Sequence, residues 1–391
     1  MLQSEDPILR APAADPHARR GTRAGLLTTL LQLEQRVRES YLDRSSSPRL
    51  AGLDARLQHA YGLARRIGAA PLYLRQHLRV LHGPCGAADA TVAAWGRAHD
   101  LRPAVRVLFD GPPAERGAGA HTLPALLART SDTDLDLIVA STTPLLARAF
   151  RRRSFVVIPA AVQLAATVDT LRLVRSRPSK SLASDLLRVA RTGYRLVLWP
   201  YSAERARLFQ GRYLEPHARA RFADDASLPT FERIDGAYRR GLGLALLAPG
   251  GEIPELLCVA SERGSTLHLL RLGVCDGDHA LLRRGAVAAL YALVAEFAAA
   301  RGLDTVHVGN SRPWLGEGVL GFKWKWGYRP VRNPAQTLEW AVRPVRPTSA
   351  AARRLLARRP IVRTSRGLAP LDAYDLAPGA GFDDVTTAPR A

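Results

Sequence analysis

The feature that most constrains this chain is the stretch Leu281 to Ala300, an Ala-rich run closed by Arg301 and Gly302. Between Gly285 and Ala295 it is apolar on most faces of a helix, so it must be buried on most sides. It lies between two strand-like runs, Thr266 to Val274 and Leu303 to Val308. Strand, buried helix and strand in that order predict a βαβ crossover with two parallel strands. Leu242 to Leu247 and Leu256 to Ala260 precede it as a predicted hairpin, turned at Pro249-Gly250-Gly251-Glu252. Tyr328 to Val331 and Thr337 to Val342 follow it as a second hairpin, with Asn333-Pro334 in the turn.

The stretch from Gly309 to Gly327 reads GNSRPWLGEGVLGFKWKWG and holds two of the chain's three lysines, Lys323 and Lys325. Gly309-Asn310-Ser311 suits a turn, because Gly allows φ > 0 and Asn and Ser bond their own backbone. A short helix is expected from about Glu317, an acid suited to a helix start. On it Val319, Phe322, Lys323 and Trp326 share one face, which sets Lys323 among apolar side chains and points Lys325 elsewhere. A lysine in that position either snorkels over a core edge or serves a reacting centre.

With 391 residues the chain is long enough for two domains. The first half alternates short elements: extended from Pro71 to Leu81, helical from Thr91 to His99, strands at Val105 to Phe109, Asp136 to Ala140 and Phe155 to Ile158, with a helix at Pro144 to Arg152. Pro112 to Gly119 reads as a loop. Helices are also expected at Ala24 to Leu42 and Asp54 to Gly68, after a Pro- and charge-rich leader over 1–22. Pro178 to Thr192 is a helix ended by Gly193, Tyr194 to Pro200 a strand, and Glu204 to Phe222 an amphipathic helix broken at Pro216. The tail has a helix at Ala351 to Arg359, a strand at Pro360 to Thr364 and no periodicity from Pro378.

Net charge is +21, and 56 basic side chains with three lysines leave 53 arginines. This suits either a solvated Arg-rich surface or affinity for anions, nucleic acid among them. Three widely spaced cysteines, Cys85, Cys258 and Cys275, form no zinc or redox spacing, so no metal and a reduced, cytoplasmic setting are expected. No apolar run reaches the length of a membrane span. There is no Ser-His-Asp set, Walker loop or G-x-G-x-x-G.

The wording strand, G-x-S-R-P, then G-x-L-x-F-K-x-x-W-G resembles the last motif of GNAT-fold acyltransferases related to the Fem-type peptidyl transferases. Two further phrases are similar to that group: S-x-x-x-x-L-x-R-x-x-R-x-G-Y ending at Tyr194, and the run through Phe209, Tyr213, Leu214, Pro216 and Arg221. The resemblance covers roughly residues 178–342. It implies an α/β (α+β) GNAT fold in two halves: a degenerate copy over 23–175, a complete domain over 176–345 and an extension over 346–391. It implies N-acyl transfer to an amine, such as an amino sugar, peptide or cell-envelope precursor. Lys323 would be catalytic, holding developing negative charge; Ser311, Arg312, Phe322, Tyr213 and Arg221 would bind substrate.

Simple GNAT enzymes hold the pyrophosphate of acetyl-coenzyme A on R/Q-x-x-G-x-G/A before the central helix. Here Arg283, Arg284 and Gly285 are a degenerate echo, behind Asp276 and Asp278, either of which suits an N-cap. The departure keeps two alternatives open: an aminoacyl-tRNA donor, as in Fem-type enzymes, and a GNAT-shaped binding module without turnover. His307, mid-strand, reads as a cross-strand histidine, and Glu317 as a helix-start acid or a general base.

Overall fold

The computed structural model describes residues 73–128, 134–222, 228–316, 318–331, 333, 336–364 and 367–371. The expected leader, the helices at 24–42 and 54–68, Glu317 and the segment from Pro378 lie outside the described residues. In chain order the elements begin β1 (Arg75–Cys85), β2 (Ala88–Trp95), α1 (Ala98–Arg106), β3 (Ala114–Thr122), α2 (Leu123–Ala128), β4 (Leu137–Thr142), α3 (Ala147–Arg151) and β5 (Val156–Pro159). Next come β6 (Val162–Thr167), α4 (Val168–Ser176), α5 (Lys180–Thr192), β7 (Arg195–Trp199), α6 (Ala203–Leu208), a π-helical turn (Phe209–Leu214), α7 (Glu215–Phe222) and α8 (Phe231–Arg239). Then follow β8 (Leu242–Leu247), β9 (Leu256–Arg263), β10 (Thr266–Val274), α9 (His279–Arg284), α10 (Ala286–Ala300), β11 (Thr305–Ser311), α11 (Gly318–Lys325) and β12 (Arg329–Val331). The chain closes with β13 (Glu339–Pro344), α12 (Ala350–Ala357), β14 (Ile361–Thr364) and β15 (Gly367–Pro370).

These elements form two compact units. One comprises Met1–Ala161, Pro313–Glu317 and Asn333–Ala391; the other comprises Val162–Arg312 and Gly318–Arg332. The first is built on a sheet ordered β3-β1-β2-β4-β13-β5. Its centre is the parallel pair β2 and β4, in register from Val92 opposite Leu137 to Trp95 opposite Ala140. Trp314 stacks on Trp340 in its core, with ring centroids 5.8 Å apart and planes 8° from parallel.

Four sequence expectations fail here. Thr91 to His99 is not one helix: Ala88–Trp95 is a strand whose Val92, Ala93, Ala94 and Trp95 are fully buried. A central strand covered on both faces loses the alternation that marks strands, and its alanines then read as helical. Val105 to Phe109 is not a strand, because Val105 and Arg106 form the last residues of α1 and Val107 is its C-cap. The expected terminal hairpin does not form. Arg329–Val331 pairs with β6 in the second unit, and Glu339–Pro344 pairs with β4 and β5 in the first. The predicted loop at Pro112 to Gly119 also runs into β3.

The second unit has a sheet ordered β12-β6-β11-β10-β9-β8-β7. β7, β8, β9 and β10 run antiparallel, and β10 and β11 are parallel as the crossover requires. Their pairing covers only Thr266–His268 and Thr305–His307. Beyond it β10 stays with β9 as far as Val274, and β11 stays with β6 as far as Ser311. The two parallel strands therefore splay. β11 also bulges, its register against β6 shifting between His307 and Asn310, with Gly309 at φ 68°. Glycine takes that left-handed conformation without strain.

The predicted long helix is two. Gly285 at φ 96° ends α9 and begins α10, which is buried along most of its length and packs against α4 and α5. Antiparallel strands, a parallel step around a central helix and a splay after that step make this unit a GNAT fold, in an α/β chain of mixed sheets. Among the described residues, no helix is long and apolar enough to cross a membrane. No group of three or more His, Cys, Asp or Glu that could hold a metal occurs among them either.

Candidate active site

Lys323 lies on α11 and is 7% exposed. Its Nζ does not snorkel outward. It donates to the carbonyl oxygens of Val308 at 2.6 Å and Asn310 at 3.4 Å. These carbonyls flank the bulge at Gly309, where the strand ladder is interrupted, so the ammonium serves backbone oxygens that the sheet has released. No carboxylate pairs with Lys323 among the described residues. Burial, and then the nearby Arg221 guanidinium, push its pKa down to about 8. An ammonium has three donors, and two are used here. Lys325 is placed differently, and its Nζ pairs with Asp185 on α5 at 2.5 Å.

Arg221 comes from α7. The chain reaches α7 through the π-helical turn Phe209–Leu214, which continues into it, so Pro216 does not break the helix as the sequence suggested. An inserted π-turn loosens the ladder that a proline would disrupt. Tyr213 in that turn is fully buried, and its hydroxyl donates to the Pro254 carbonyl at 2.8 Å. Both its ring and its hydroxyl are thus engaged within the protein.

His217 lies one turn before Arg221 on the same face of α7. Sequence reading missed it, although the His/Arg spacing of four was a usable signal. The residue is 6% exposed. Burial, Arg221 and His279, in that order, push its pKa down to about 4. Arg221 also lies close enough to Tyr291 of α10 to act on its phenol. Tyr291 packs edge-on against Phe322, with centroids 5.3 Å apart. α7, α10 and α11 thus bring His217, Arg221, Tyr291, Phe322 and Lys323 together. Ser311, at the end of β11, is 6% exposed, and its Oγ has no hydrogen-bond partner among the described residues. Arg312 follows it, half-buried.

No protein-family model matches this chain, and no curated protein sequence matches it. Solved structures do. L-PGS from Bacillus licheniformis is 13% identical, over 72% of this chain and 88% of that one, with a TM-score of 0.34. A GCN5-related N-acetyltransferase from Sphaerobacter thermophilus is 16% identical, over 54% and 60%, at 0.32. FemX is 10% identical, over 67% and 83%, at 0.33. At such values the fold assignment rests on this chain's own strand order and splay.

The residues expected to hold a coenzyme A pyrophosphate sit around the start of α10. Gly285 is its N-cap, and no side chain caps it. Gly285 is itself buried: a Cβ there would meet Cδ of Arg188 at 3.1 Å. Arg284 forms an ion pair with Glu255, which also accepts from Tyr194. Arg283 is exposed. Asp278 caps α9 through the Ala280 N–H at 2.7 Å, and Asp276 pairs with Arg212 at 3.2 Å. The acids are thus a cap and an ion-pair partner, while the glycine cradle is packed over by Arg188 and one arginine is already committed.

Proposed function

We propose that the second unit is an N-acyltransferase, moving an acyl group from an activated donor to an amine. The reading is carried by Lys323, a buried ammonium fixed at the bulge of β11 beside the splay, with one donor left over. The acceptor nitrogen attacks the acyl carbonyl carbon, and the carbonyl oxygen becomes an oxyanion. Lys323 gives that oxyanion a preorganised cation in a water-poor setting, where such donors are worth about 10²–10³ in rate. The adduct then expels the thiolate or alkoxide of the donor. The unspent hydroxyl of Ser311 and the guanidinium of Arg312 orient the acceptor, an amino sugar or peptide amine. Phe322 lines the site, and Arg221 neutralises donor or acceptor phosphate.

The donor to test first is acetyl-coenzyme A. At about 100 times its dissociation constant it stabilises the protein by roughly 2.7 kcal/mol, a rise of about a few degrees in Tm. The buried Gly285 and the charge of +21 favour a second donor, an aminoacyl-tRNA. In that case acetyl-coenzyme A leaves Tm unchanged, and RNA binding weakens steeply with salt as counterions are released.

A further inference from the structure

We infer that β7 pairs edge to edge with the β7 of a second copy of this chain, joining two seven-stranded sheets about a two-fold axis. The sheet of the second unit has two edges, β12 and β7. An open strand edge is a row of unpaired N–H and C=O groups, and proteins blunt it with short strands, charges, prolines or bulges. β12 is blunted in this way. It has three residues, among them the exposed Arg329 and Pro330, which has no N–H to offer.

β7 has no such protection. It reads Arg-Leu-Val-Leu-Trp over Arg195–Trp199, and its one charge, Arg195, stands at the first position. Its register against β8 runs unbroken from Arg195 opposite Leu247 to Trp199 opposite Gly243, so no bulge turns the edge away. No other described strand pairs with it. Val197 and Trp199 pack on the cluster around Ile234 and Tyr238, which fixes their face of the strand, and Leu196 and Leu198 lie on the other. Leu198 is 49% exposed, while Leu244, Ala245 and Leu246 of the neighbouring β8 are fully buried.

The occupant follows from the strand's own order of residues. Two antiparallel copies of Arg195–Trp199 overlap in full only when Val197 faces the partner's Val197. Arg195 then lies opposite the partner's Trp199, and Leu196 opposite the partner's Leu198. The only charge in the strand thus meets an aromatic ring, a favourable pairing. Like charges directly opposite would work against the contact, and this register has none. On the other face each exposed Leu198 is covered by a leucine, and the two-fold axis makes that contact twice. An extended peptide from another protein would use the same backbone edge. The match of the strand to itself favours a second copy.

The test is the mass of the full chain in solution, by light scattering, from about 1 to about 100 μM, the range of micromolar association. The wild type is expected to pass from one chain to two across that range. Leu198→Lys, at a half-exposed position, is expected to raise the dissociation constant by about 10-fold or more. Its melting temperature at the lowest concentration should match that of the wild type, which separates the edge from the fold. Val197→Cys tests the register and keeps a small apolar side chain in place. Directly opposite Cα atoms lie about 4.5–5.5 Å apart in an antiparallel pair, within the span of a disulfide. Diamide should therefore link Val197→Cys into a covalent dimer. Leu198→Cys, which meets the partner's Leu196, should stay single, and so should the wild type, whose Cys85, Cys258 and Cys275 are buried. A wild type that keeps the mass of one chain up to about 100 μM overturns the proposal. So does a dimer that survives Leu198→Lys, or one in which Val197→Cys links no better than Leu198→Cys.

Discussion

The Nζ of Lys323 donates to the carbonyl oxygen of Val308 at 2.6 Å, which fastens α11 to β11 just past the point where β11 leaves β10. One side chain thus holds the bulge and offers its remaining donor to the site. Replacing Lys323 with Met is expected to cost about 10²–10³ in transfer rate and about 1–3 kcal/mol from the carbonyls left behind. A pH signature accompanies this. The lysine titrates at about 8 in the folded chain, against an ordinary 10.5. Between these values the unfolded chain binds the proton more tightly, so stability rises with pH across that window. Urea unfolding at about pH 7.5 and about pH 10 should show wild type gaining on Lys323→Met. A gap that does not change with pH would mean that the ammonium is not desolvated.

Lys325 provides the contrast, because its partner is Asp185 and the pair joins α11 to α5. Asp185 is 8% exposed. Lys325→Met strips a nearly buried carboxylate of this partner, at an expected cost of order 3 kcal/mol. The double variant Lys325→Met with Asp185→Leu should recover most of that loss, since an apolar pair replaces an ionic one. Thermal melts decide the matter. Transfer activity per folded molecule should survive in Lys325→Met and fail in Lys323→Met.

Two glycines near α7 should respond in opposite senses. Gly273→Ala drives a Cβ into backbone atoms of Tyr213 and Leu214, at 2.4 to 2.6 Å, and no rotamer relieves such a contact. The cost should reach about 3 kcal/mol or more, and α7 should shift. Gly211, inside the π-helical turn, has open space around a Cβ. Gly211→Ala should therefore stabilise by up to about 1 kcal/mol, through the entropy of the unfolded chain. Equal effects from the two would contradict the packing described for this turn.

Much of the second unit is legible in the sequence for physical reasons. Leu242–Leu247 and Leu256–Arg263 are bounded by turn residues, and α10 declares its burial by being apolar all round. The spacing of Val319, Phe322, Lys323 and Trp326 separates the buried lysine from Lys325 before any coordinates are known. What escapes reading has causes too. Val92 to Trp95, the end of Ala88–Trp95, is buried on both faces, so its period is silent. The partners of Arg329–Val331 and Glu339–Pro344 lie far away in sequence, and nearness along the chain suggested a hairpin instead. His217 was hidden by Pro216, which reads as a helix break when no π-turn is foreseen.

The last parallel pair before the splay is His268 opposite His307, with ring centroids 4.7 Å apart. Two imidazoles at that distance cannot both be charged without strong repulsion. Burial, His307 and Arg263 push His268 down to about 3, and burial lowers His307 as well. The sign follows from the unfolded chain, where each ring takes a proton near 6.5. Below that pH the unfolded state binds protons that the folded state refuses, so stability drains away as pH falls from about 6.5 towards 3. His268→Gln removes the larger of these penalties and leaves His307 without a like-charged neighbour. Its urea midpoint should fall less than that of the wild type between about pH 6.5 and about pH 4. Parallel losses in the two proteins would rule the pair out as a source of acid sensitivity. A smaller loss in the variant would place that sensitivity at the root of the splay, where charging the rings pushes β10 and β11 apart.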